Sequence, residues 1–167
     1  MRTVQIGESY VGEGMEAAHV NTVLGERSGP VGVAWTTALA TPTRGHAPFL
    51  AVIRPGLPVQ PPTLFVNKAT IGPGRHGDLT WGAAQAGVAS GVAQAVAEGL
   101  IERTAVDELV LIAAVWVNPA AGDEEAVYAN NRAATLTALR NASAGLPELD
   151  DALAARDDPR NPFFRTS

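Results

Sequence analysis

The chain has 167 residues, 46% apolar and 17% charged, which suits one domain with a packed core and excludes a disordered chain. Its net charge of −5 comes without a basic patch, which speaks against nucleic acid as a partner. The absence of cysteine excludes disulfides, thiolate catalysis and thiolate-bound metals.

His19, His46 and His76 are scattered, so no metal site is expected. No apolar run reaches membrane-spanning length, and Met1 to Glu8 has no apolar leader. A soluble cytoplasmic protein without a membrane partner is the expectation.

Val4 to Gly7 reads as a short strand, and Gly12-Glu13-Gly14 as a tight turn. His19 to Gly25 alternates polar and apolar residues, as a half-buried strand does. His19 and Asn21 then share one face, with Thr22 and Leu24 on the other. Ser28 is placed as the cap of a helix with Pro30 in its first turn, running to Leu39 or Ala40.

Phe49 to Ile53 reads as a buried strand, and prolines 58, 61 and 62 as an extended connection. Thr63 to Ile71 is the next strand, closed by Gly72-Pro73-Gly74. A long helix is expected from about Asp78 to Glu98, with Trp81 and Gln85 as surface neighbours four residues apart. A strand over Glu108 to Val117 and a helix from Gly122-Asp123 to about Asn141 follow. Residues 148–167 read as an acidic, proline-containing tail after a single domain over 1–147. Mixed strands and helices without a regular βαβ repeat give an α+β class, one sheet with helices packed on it.

Lys68 is the only lysine; the other eleven cationic side chains are arginine. Arginine cannot replace a compact ammonium whose pKa moves readily on burial. Such a lysine beside Thr70 can hold a polar substrate or, if desolvated, form a Schiff base with an aldehyde. His19 is the candidate acid or base, because histidine ordinarily titrates near neutrality. Asn21, on its face, can donate and accept hydrogen bonds. The sequence from Gly72 to Gly77 lacks the Gly-Lys-Ser/Thr of a phosphate-binding loop and is read as a turn.

Several stretches, in order and spacing, resemble the formaldehyde-activating enzyme family. They are Ile6-Gly7-Glu8 with Val11-Gly12-Glu13-Gly14 and Ala18-His19; Phe49-Leu50-Ala51-Val52; Pro55-Gly56-Leu57-Pro58; Leu64 to Ile71; Gly82-Ala83-Ala84-Gln85; and Val96-Ala97-Glu98-Gly99. The resemblance implies a fold like domain 2 of a small-subunit ribosomal protein, and a homopentamer with sites between subunits. It implies a carbon–nitrogen lyase of one-carbon metabolism that condenses formaldehyde with tetrahydromethanopterin as co-substrate, without a prosthetic group. It carries the role of acid catalyst onto His19 and substrate contacts onto Leu50, Lys68, Thr70 and Gln85.

A substrate-contacting aspartate of the family falls on Asn21, where the pattern is broken. Asn118-Pro119 replaces a His-Trp, Val59 a common cysteine, and only Tyr128 remains of a tyrosine-rich helix start. These departures suit a paralogue with a different amine partner.

The chemistry implied is addition of an amine to the aldehyde, acid-assisted loss of water, and trapping of the iminium by a second nucleophile. Loss of a carboxylate at position 21 leaves open two alternatives. One is another aldehyde–amine condensation, such as a Pictet–Spengler-type ring closure in specialised metabolism. The other is a non-catalytic protein that binds a pterin or formaldehyde.

Overall fold

The computed structural model describes residues 4–161 and residue 164. Alternating side chains in three neighbouring strands give the main sheet one packed and one open face. The strands are β1 (Val4–Val11), β2 (Ala18–Glu26) and β7 (Leu109–Trp116). On β2, Ala18, Val20, Thr22 and Leu24 are buried, while His19, Asn21 and Val23 are only partly covered. That is the division of faces expected from the period of two.

β1 runs four residues further than the sequence suggests, to Val11, and pairs with β2 along its whole length. The Gly12-Glu13-Gly14 turn passes into a single helical turn at Gly14–Glu16. Helix α1 (Pro30–Ala40) follows β2. Its cap is Gly29, not Ser28, and no side chain caps it.

The stretch over 49–53 is not one strand. β3 (Phe49–Leu50) joins the main sheet, and β4 (Val52–Arg54) turns away to pair with β5 (Leu57–Pro58) in a separate ribbon. Ala51 lies between them; its N–H donates to Thr63 O and its carbonyl accepts from Val59 N–H. β6 (Thr63–Asn67) stops four residues short of Ile71. Lys68 and Thr70 therefore do not share a strand face. The sheet order is β1-β2-β7-β6-β3, antiparallel except for the parallel β6–β7 pair.

The long helix expected from Asp78 is three joined pieces: α2 (Arg75–Leu79), a π turn over Thr80–Ala84, and α3 (Gln85–Ala97). His76 anchors its start. Its Nδ1 accepts from Gly72 N–H at 2.9 Å, which makes Nε2 the donor to Val117 O at 3.1 Å. The Gly72–Gly77 stretch is thus a turn pinned to the end of β7.

Helix α4 (Glu124–Ala144) begins at Asp123, whose side chain accepts from Ala126 N–H, and ends at the left-handed Gly145. It lies on β1 and β2, with α3 packed against it. The approach is close enough to require glycine. A Cβ on Gly7 would meet the Ala138 carbonyl, and one on Gly91 would lie 2.7 Å from the Arg132 carbonyl. The short α5 (Leu149–Ala154) follows in the C-terminal segment, entirely exposed. Among the described residues, no helix is long and apolar enough to cross a membrane.

Candidate functional site

The strand register aligns two rows of side chains on the open face. Tyr10, His19 and Trp116 are direct cross-strand partners in one row, and Glu8, Asn21, Ala114 and Val66 in the next. Lys68 lies one residue beyond β6, but its N–H still donates to Val115 O at 2.8 Å. This continuation of the ladder keeps Lys68 at the end of the first row. The small Ala114 in the second row keeps the floor low.

These residues line a cavity of about 720 Å³, formed by Glu8, Tyr10, His19, Asn21, Lys68 and Trp116, with Arg160 and Asn161 from the C-terminal segment. His19, Asn21 and Lys68, singled out from the sequence, are therefore brought together from β2 and the end of β6. Lys68 Nζ donates to Asn21 Oδ1 at 2.8 Å. His19 Nε2 lies 2.9 Å from Glu8 Oε1, and its ring is tilted against Tyr10 with centroids 6.0 Å apart.

Burial pushes the Lys68 ammonium down from 10.5 to about 8, against the opposing pull of the Glu8 carboxylate. The oxygen that holds Nζ belongs to a neutral carboxamide and adds no charge to oppose desolvation. A proton can therefore leave Lys68 under mildly alkaline conditions, which an ordinary surface lysine does not permit.

The other expected substrate residues lie elsewhere in the chain. Leu50 and Gln85 share a second depression, of about 390 Å³, with Phe49, Val52 and Trp81. The Gln85 Oε1 accepts from Val52 N–H. This fixes the carboxamide and leaves its NH₂ as the group to offer a ligand. The π turn sets Trp81 beside Gln85 with 55% of its surface exposed; such turns recur at functional sites. Thr70 joins neither group. Its Oγ1 lies 3.3 Å from His46 Nε2, in a cluster where Asn67 Nδ2 donates to Gly45 O.

Glu8, Tyr10, Trp116, Arg160 and Asn161 were not singled out from the sequence. Glu8 and Tyr10 become visible once β1 is extended to Val11, since both then alternate with the exposed Ile6. Arg160 and Asn161 carry no local signal. Arg160 is held by both carboxylate oxygens of Asp158. Among the described residues there is no cluster of three or more His, Asp or Glu that could hold a metal.

The profile of the family described as formaldehyde-activating enzyme (Fae) matches residues 6–164. The chain is 41% identical over 159 residues to the bifunctional enzyme Fae/Hps of Archaeoglobus fulgidus, covering 95% of this chain and 40% of that protein. It is 43% identical over 152 residues to the bifunctional enzyme Fae/Hps of Methanococcoides burtonii, covering 91% and 38%. To the 5,6,7,8-tetrahydromethanopterin hydro-lyase of Methanosarcina barkeri it is 39% identical over 158 residues, covering 95% of this chain and 89% of that protein. The chain spans about two-fifths of the length of the bifunctional relatives it matches. With a match over nearly its whole length, the chain belongs to the formaldehyde-activating enzyme family.

Proposed function

We propose that this protein is a lyase that condenses formaldehyde with tetrahydromethanopterin to the methylene adduct, releasing water. The observation that carries the reading is the cavity on the open face. It holds His19, Asn21 and Lys68 together in a chain 39% identical to a protein named tetrahydromethanopterin hydro-lyase.

The first pterin nitrogen adds to the aldehyde carbon, forming a C–N bond and a carbinolamine. His19 protonates the hydroxyl, the C–O bond breaks and water leaves. The second nitrogen traps the iminium and loses a proton. A positioned acid contributes on the order of 10²–10⁴-fold, and holding the two reactants together adds to it. Glu8, 2.9 Å from His19 Nε2, orients the imidazole. Asn21 and Lys68 hydrogen-bond polar substrate atoms.

Leu50, Gln85 and Trp81 supply what a flat heterocycle needs: an apolar wall, a hydrogen-bond donor and an aromatic surface. In one copy these residues line a different depression from His19. A homo-oligomer, a pentamer by family resemblance, would set the second depression of one subunit beside the first of its neighbour. Exposed apolar residues fit such contacts: Val33 and Leu39 on α1, and Ile6 on β1. Thr70 contacts substrate in the same assembly.

The test is the loss of formaldehyde and tetrahydromethanopterin in the presence of the protein, set against the spontaneous rate. Saturable acceleration is expected. A rate equal to the spontaneous one, with pterin bound, makes the protein a carrier and sinks the reading.

A further inference from the structure

We propose that Lys68 is a nucleophile that takes up formaldehyde covalently and hands it on to the acceptor amine. This rests on the reading of the cavity as a formaldehyde site, and deepens it by giving the aldehyde a protein-bound form.

The geometry provides the three things such a step needs. First, the Nζ lies in a cavity roomy enough for a one-carbon aldehyde, at the end of the row that contains His19. Second, its acceptor at 2.8 Å is the neutral Asn21 Oδ1. A carboxylate there would hold Nζ as ammonium; a carboxamide orients the amine without fixing its charge. Third, a proton-carrying group is close at hand. His19 lines the same cavity, and the Glu8 carboxylate is already engaged with its Nε2.

The groups that face Lys68 are Glu8 and Tyr10 from β1, His19 and Asn21 from β2, and Arg160 from the C-terminal segment. Glu8 is the charge that opposes deprotonation, and burial outweighs it. The neutral side chain at position 21 thus leaves the lysine amine free to react.

The step balances without an oxidant or reductant. The Nζ lone pair attacks the carbonyl carbon, and a C–N bond forms. The carbonyl electron pair moves to oxygen, which takes up a proton as nitrogen loses one. His19 then protonates the hydroxyl, water departs, and Lys68 carries a methylene iminium. The acceptor amine adds to that carbon, and the C–Nζ bond breaks as Nζ takes back a proton. The methylene group has then changed partners with no change in oxidation state.

The single lysine makes the proposal directly measurable. Full-length protein is treated with dilute ¹³C-formaldehyde and cyanoborohydride, which reduces an iminium to a stable N-methyl group. Only Lys68 and the α-amino group offer alkyl amines for this chemistry, and peptide mapping by mass spectrometry separates them.

Methylation of Lys68 is expected to outpace that of the α-amino group by on the order of tenfold or more, because the cavity supplies positioning and an acid. Asn21→Asp is expected to slow Lys68 labelling by on the order of tenfold at neutral pH, by holding the ammonium. Labelling of Lys68 no faster than the α-amino group overturns the proposal. So does wild-type turnover with tetrahydromethanopterin in Lys68→Arg, an outcome that leaves the condensation reading standing. Rapid Lys68 labelling without any acceleration of the pterin reaction supports covalent uptake and removes the condensation reading.

Discussion

Lys68 and Glu8 set the electrostatics of the open-face cavity, and each has a measurable consequence. The folded-state pKa of Lys68, about 8, lies below its ordinary 10.5. Below pH 8 both folded and unfolded chains are protonated there, and the cost of burying the ammonium is fully present. Between pH 8 and 10.5 unfolding takes up a proton, so stability rises with pH and the cost is relieved. The Tm of the wild type is therefore expected to gain on that of Lys68→Met as pH rises through this window. A constant difference between the two would contradict it.

Glu8 is a positioning residue in this account. Glu8→Gln is expected to lower kcat by roughly three- to tenfold while leaving KM for the pterin near its wild-type value. The effect is modest because the two side chains are 37% and 60% exposed and solvent screens the pair. The candidacy of His19 and Lys68, which line one cavity, was legible from residue type alone. Glu8 was not, because a carboxylate at a strand end reads as solvated until pairing places it diagonally across from a histidine.

At the scale of elements, alternation located β2, and turn, cap and proline residues bounding apolar segments located β7, α1 and α4, each to within a few residues. Such signals failed where tertiary contacts override local pattern. Phe49 to Ile53 is uniformly apolar, yet Val52 N–H is taken by the Gln85 side chain and the chain turns out of the sheet. Thr63 to Val66 and Thr70-Ile71 have strand composition, but β7 ends at Trp116 and offers no ladder beyond Lys68.

The π turn at Thr80–Ala84 has no periodic signature, so the helix there reads as continuous. The α3–α4 contact is written in glycine. Gly91→Ala would gain about 1 kcal/mol of helix propensity. A Cβ 2.7 Å from the Arg132 carbonyl and 2.9 Å from Thr135 Cβ forces the helices apart, and such overpacking costs about 1–3 kcal/mol. Net destabilisation of up to about 2 kcal/mol is expected in urea unfolding; an unchanged or raised midpoint would show that the interface yields.

The whole molecule sets all the expected site residues but Thr70 in two depressions, a separation no linear sequence displays. His19, Asn21 and Lys68 line one, and Leu50 and Gln85 the other. The proposed assembly of copies would bring the two together and give the apolar surface of α1 a use. Val33, 65% exposed, lies on a helix without a single charged residue. Val33→Asp is expected to shift the sedimentation coefficient toward smaller species and to lower turnover, with the far-ultraviolet circular dichroism unchanged. An unaltered coefficient would place the contact elsewhere.

The open-face cavity is proposed to carry out acid-assisted condensation of formaldehyde with tetrahydromethanopterin. The most direct test compares His19→Ala with wild type for the rate of methylene adduct formation above the spontaneous rate, with pterin binding measured in parallel. Retained binding with a fall of on the order of 10²–10⁴-fold in the catalysed rate is expected. A His19→Ala protein that binds the pterin and turns over at the wild-type rate would contradict the account.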